Sequence, residues 1–112
     1  MESTRQSKIS RLLLKDLSDI FLRESRIHFG GVMITVTKVH VTSDLSIARV
    51  YLSLFTTRDK NELLTSIKTH TKEIRFKLGQ KIGRQIRVIP ELQFYLDDSL
   101  DYIEKIEKLL EE

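Results

Sequence analysis

The sequence predicts an α+β two-layer domain, a three-stranded sheet covered on one face by helices, in the order α-β-β-α(α)-β-α. Three observations carry that expectation. Apolar residues recur at helical spacing in three separated segments, near residues 7–25, 62–82 and 98–111. Runs rich in β-branched residues, with a period close to two, fall between them. A chain of 112 residues, 40% hydrophobic and 31% charged, suffices for one modest core and is too apolar for disorder. Residues 1–112 are therefore expected to form a single domain.

The first helix is read in SKISRLLLKDLSDIFLRES, where Ile9, Leu12, Leu13, Leu17, Ile20 and Phe21 make an apolar stripe. Lys8, Arg11 and Lys15 fall together on the opposite face. RIHFGG closes it, with Gly30 and Gly31 as a flexible turn. VMITVTKVHV is a strand, but Ile34 and Val36 share one parity and Val39 and Val41 the other, which places a bulge near Thr37–Lys38. After a turn at residues 43–46, IARVYLSLFT alternates cleanly: Ala48, Val50, Leu52 and Leu54 point one way, Arg49, Tyr51 and Ser53 the other. So short a connection makes the two strands an antiparallel hairpin.

Asp59 or Asn61 can cap the next helix, ELLTSIKTHTKEIRFKLGQKI, whose buried stripe runs Leu63, Leu64, Ile67, Thr71, Ile74, Leu78, Ile82. Gly79 and Gly83 interrupt or end it. A third strand is expected over residues 86–96, with Ile86, Val88, Leu92, Phe94 and Leu96 on one face and Pro90 at a sheet edge or bulge. Asp97, Asp98 and Ser99 then start a last helix at about residues 98–111, with Leu100, Ile103, Ile106 and Leu110 at helical spacing.

Composition narrows the function. The sequence has no cysteine, so disulfides and thiolate metal sites are excluded. Its apolar runs are far too short for a membrane span, and MESTRQSKIS lacks the apolar core of a secretory signal, so a cytoplasmic monomer is expected. Charge is segregated: residues 1–90 carry 17 Lys and Arg against 8 Asp and Glu, and residues 91–112 carry 2 against 8. A basic body suits a polyanionic partner, although a solvated surface is the plainer explanation.

No catalytic constellation can be read. His28, His40 and His70, expected on a loop, a strand and a helix, lack ligand spacing, so neither a metal nor a cofactor is expected. There is no Gly-rich phosphate loop and no nucleophile–base pair, and Asp97 and Asp98 are better helix-start residues than an acid–base pair. The strongest signal is RFKLGQKIGRQIR, residues 75–87, which holds Arg75, Lys77, Lys81, Arg84 and Arg87 with no acidic residue and two glycines between them. Phosphate oxygens want such donors. A basic helix end also favours the dipole, but five cations exceed what a cap needs. Candidate contacts to nucleic acid, RNA or DNA, are thus Lys8, Arg11, Lys15, Lys72, Arg75, Lys77, Lys81, Arg84 and Arg87.

SDLSIA at 43–48, IRFKLG at 74–79, and Arg87, Pro90, Glu91, Leu92, Phe94, Asp97, Ser99 and Leu100 together resemble the bacterial ribosome-binding factor A family. The resemblance spans essentially the whole chain. It implies a KH-like fold of the type II order and a non-enzymatic assembly factor. Such a factor binds the small (30S) ribosomal subunit and its 16S rRNA and assists maturation of that RNA, notably in the cold. Ribosomal proteins and other assembly factors are implied as further partners. KH domains hold nucleic acid beside a Gly-x-x-G loop. Here three residues separate Gly79 from Gly83. The family instead breaks its second helix at an Ala-x-Gly kink, which alignment sets at His70-Thr71-Lys72. That triplet does not match, so the kink is expected to be lost or moved toward Gly79. A competing expectation is a protein–protein module docking a basic partner through the acidic C-terminal helix. A small hydrolase or nuclease ranks last for want of catalytic residues.

Overall fold

The computed structural model describes residues 3–97. The expected last helix, with Asp98 and Ser99 at its start, lies outside the described residues.

Ser3 opens the first helix, α1 (Thr4–His28), through a capping box in which its hydroxyl accepts from the Gln6 amide and the Gln6 side chain accepts in return. The helix runs one turn further at its end than expected, because the chain leaves it only at Gly30 and Gly31, both at positive φ. His28 is therefore the last residue of a helix, not a loop residue. The hairpin follows as β1 (Met33–Val41) and β2 (Ile47–Phe55), antiparallel, with the register slipping between Val36 and Lys38. That bulge brings Ile34, Val36, Val39 and Val41 onto one buried face despite their opposite parity. The turn between the strands is closed by Asp44, whose carboxylate accepts from the Thr42 and Ser46 hydroxyls and the Ser46 amide. These donors hold its pKa down at about 2.

The second helical region is two helices, α2 (Lys60–Thr69), capped by Asp59, and α3 (Thr71–Ile82). The break is at His70, where alignment puts the family's kink, and not at Gly79, which lies within α3. A Thr-His-Thr sequence makes it: the Thr69 hydroxyl and His70 Nδ1 both reach the Ser66 carbonyl, and the Thr71 hydroxyl reaches that of Lys68. Side chains thus compete for carbonyls of the last turn of α2. At the far end, a Cβ added to Gly83 would lie 2.6 Å from the Gly79 carbonyl oxygen, so the turn out of α3 admits only glycine.

The third strand, β3 (Glu91–Leu96), is shorter than the expected 86–96. Pro90 has no amide hydrogen for the ladder and constrains the residue before it, so pairing begins just after it. Val88, expected in the core, is exposed. The strand lies at the sheet edge, parallel to β2, from Ile47↔Glu91 to Leu52↔Leu96, so α2 and α3 form the crossover that a parallel pair requires. The core lies between this sheet and the helices: Leu13, Leu17 and Phe21 of α1, Ala48, Val50 and Leu52 of β2, and Ile67, Ile74, Leu78 and Ile82 of α2 and α3. Phe21 meets Phe94 edge to face at 5.8 Å between ring centroids.

Candidate nucleic-acid interface

Residues 72, 75, 76 and 79 share one face of α3 because they are three and four apart. The segment between Gly83 and β3 folds back toward that face, and Arg75 pins it there. Its Nε donates to the Pro90 carbonyl at 3.1 Å and its Nη2 to that of Ile89 at 2.6 Å. The result is an open groove of ≈ 660 Å³. It is lined by the apolar Phe76, Val88 and Ile89 with Gly79, and by the polar Lys72, Arg75, Gln80 and Arg87. Phe76 and Val88 are 66% and 68% exposed, an unusual state for two apolar side chains in one concavity. Arg87 also borders a second groove that contains Arg5 of α1 and the β1–β2 turn.

An exposed aromatic ring among cationic side chains can stack an unpaired base while guanidinium and ammonium groups hold the flanking phosphates. Arg75 uses only part of its donor fork on the two carbonyls and keeps its full charge for a ligand. A Cβ at Gly79 would make ordinary van der Waals contact with Ile89, at 3.7 Å.

The nine expected contact residues separate into groups. Lys72, Arg75 and Arg87 come together on the groove. Lys8, Arg11 and Lys15 stand exposed along α1, and Arg84 is exposed beyond α3; none of these four makes an ion pair with a described residue. Lys77 and Lys81 face α1 instead, which corrects the expectation of a basic run without acidic neighbours. The Lys77 ammonium bonds the buried Glu24 carboxylate and lies 3.4 Å from Glu73, and Lys81 lies 3.6 Å from Asp19. The hydrogen bond to Glu24, chiefly, raises the Lys77 pKa, and the bond from Lys77 lowers that of Glu73. Lys77 is thus committed to holding α3 on α1.

Two features of the surface escaped the residue-by-residue reading. Phe76 lies off the apolar stripe of its helix, and such an unplaced aromatic beside Lys72 and Arg75 was the available signal. Tyr51 and Tyr95, partners across β2 and β3, stack at 5.4 Å on the sheet face turned away from α1, α2 and α3, with Lys38 Nζ 5.9 Å from the Tyr51 ring centroid. Their pairing depends on a parallel register between strands far apart in sequence.

The family profile described as ribosome-binding factor A matches residues 5–110. A ribosome-binding factor A from Cytophaga hutchinsonii is 52% identical over 110 residues, 98% of this chain and 83% of the relative. One from Flavobacterium psychrophilum is 48% identical over 111 residues, 98% of this chain and 85% of the relative. Among solved structures, the crystal structure of ribosome-binding factor A from Thermus thermophilus superposes with a TM-score of 0.66 at 22% identity, covering 81% of this chain and 94% of that one. A homology model of the T. thermophilus factor, fitted into the cryo-EM map of a 30S complex, gives 0.65 at 17% identity, over 88% and 97%. The fold of these structures is the one described above, a KH-like α+β arrangement, and with the match along nearly the whole sequence it leads to one conclusion: the chain belongs to the ribosome-binding factor A family.

Proposed function

We propose that this chain is a non-enzymatic, cytoplasmic assembly factor that binds the small ribosomal subunit through its rRNA and assists 16S rRNA maturation, especially in the cold. The observation that carries the RNA-binding part is the groove, where Lys72, Arg75 and Arg87 surround an exposed Phe76. Relatives up to 52% identical are named ribosome-binding factors, and a homology model of the T. thermophilus factor was fitted into a 30S complex. Among the described residues no helix is long and apolar enough to cross a membrane, which accords with a factor that meets the subunit in solution.

The groove suits single-stranded RNA better than a duplex, because a stacked base offers no free face to Phe76. Lys8, Arg11, Lys15 and Arg84 extend the basic surface beyond it and would follow the backbone on either side. Sucrose-gradient sedimentation of cell extract tests the proposal. Co-migration with free small subunits is the expected result, with immature 16S rRNA accumulating when the factor is depleted at low temperature. Absence from ribosomal fractions would refute subunit binding.

A further inference from the structure

The two histidines whose spacing showed no ligand pattern are brought together by the fold. His28 ends α1 and His70 forms the break between α2 and α3, with ring centroids 4.7 Å apart. One ligand atom from each, with a Glu73 carboxylate oxygen, lies within 4.8 Å of the others. His28 Nε2 is 3.5 Å from Glu73 Oε1 and 3.4 Å from Glu24 Oε2. In a tetrahedral zinc site with bonds of about 2.0–2.1 Å, neighbouring ligand atoms are about 3.3 Å apart, so the His28–Glu73 spacing needs almost no adjustment, and the set as a whole, within 4.8 Å, needs side-chain shifts to close on an ion.

We infer that His28, His70 and Glu73 form a binding site for a divalent first-row metal ion such as zinc, seated over the buried Glu24 carboxylate. Three observations besides proximity support it. First, His70 Nδ1 lies 2.8 Å from the Ser66 carbonyl, which can only accept, and 3.2 Å from the Thr69 hydroxyl. In the tautomer that donates to the carbonyl, Nε2 holds the lone pair and the opposite nitrogen is anchored as in metal-binding imidazoles. The edge-to-face contact with Phe29, at 5.2 Å, helps to fix the ring.

Second, Glu24 is 1% exposed, and its Oε2 accepts no hydrogen bond from a described residue; it is turned toward His28 Nε2. A buried carboxylate oxygen without a donor is costly unless a cation or proton comes to it. Third, two carboxylates share the one ammonium of Lys77 among the described residues, and both also face His28 Nε2, so the cluster is rich in negative charge where the imidazoles meet it. Imidazole and carboxylate donors suit zinc and its neighbours rather than calcium or magnesium. A metal here would join the end of α1 to the break between α2 and α3, at the opposite end of α3 from Gly83.

Zinc titration of the tag-free full chain in chelator-treated buffer, read by calorimetry and thermal melting, tests the inference without RNA. One zinc per chain should bind with a Kd of micromolar or tighter and raise Tm by several degrees at saturation. His28→Gln and His70→Gln should each weaken binding at least about tenfold, while His40→Gln should not. Glu73→Gln, a change on a side chain 42% exposed, repeats the test in a variant expected to fold. Absence of saturable binding, or binding that survives all three ligand substitutions, would overturn the site and leave the RNA-binding proposal untouched.

Discussion

Replacing Lys72 and Arg87 with alanine separates the groove cations from the rest of the basic surface. Both side chains are exposed and make no ion pair with a described residue, so little stability is at stake. Each phosphate contact on single-stranded nucleic acid contributes about 0.7 to the slope of log K against log salt. Seven exposed candidates remain once Lys77 and Lys81 are assigned to α1 (Lys8, Arg11, Lys15, Lys72, Arg75, Arg84, Arg87). If four to seven engage at once, the slope is roughly −3 to −5. Losing two contacts should flatten it by about 1.4, which at 0.1 M salt corresponds to about 25-fold weaker binding. Fluorescence anisotropy with single-stranded 16S rRNA fragments, from low to physiological salt, measures both quantities. Lys77→Ala is the internal control: its charge is spent on Glu24 and Glu73, so the slope should hold while the protein loses stability. An unchanged slope in the double variant, or a slope that falls only with Lys77→Ala, would refute the assignment of the groove.

Phe94→Ala removes a ring that is 2% exposed and packed on Phe21, and should cost about 3–5 kcal/mol, lowering Tm by at least about 12 °C in a thermal melt. Gly79→Ala should raise stability by about 0.4–1 kcal/mol, since its helical backbone accepts a Cβ and Ile89 is 3.7 Å away. The same methyl group narrows the groove, so RNA affinity should fall in anisotropy while Tm rises. The Asp44 carboxylate has a depressed pKa, so its contribution to stability is present above about pH 4 and lost as pH falls through about 2. Asp44→Asn should therefore lower Tm at neutral pH yet flatten its dependence on pH across that window.

Local chemistry made some features legible and distance hid others. The β-bulge was readable because it leaves a parity switch between Val36 and Val39, and the β2 strand because each alternate residue is apolar. Pro90 marked the edge strand, but the apolar Ile86 and Val88 before it imitate a strand that Pro90 itself prevents. The break at His70 was hidden because hydroxyl and imidazole groups, not glycine, take the carbonyls of the last turn. The basic run was overcounted for a different reason. Lys77 meets Glu24 across 53 positions, and only the packing of α1 on α3 brings them together. His28 and His70 meet for the same cause, and spacing along the chain carries no trace of it.

Ultraviolet crosslinking of the chain to purified small subunits, followed by mass spectrometry of the RNA-bearing peptides, tests the central claim most directly. Adducts on peptides covering residues 72–89, with Phe76 among the modified positions and loss of signal in the Lys72→Ala/Arg87→Ala variant, are the predicted result. Crosslinks confined to ribosomal proteins through residues 98–112, with none to RNA, would contradict it and make the acidic C-terminal segment the docking surface.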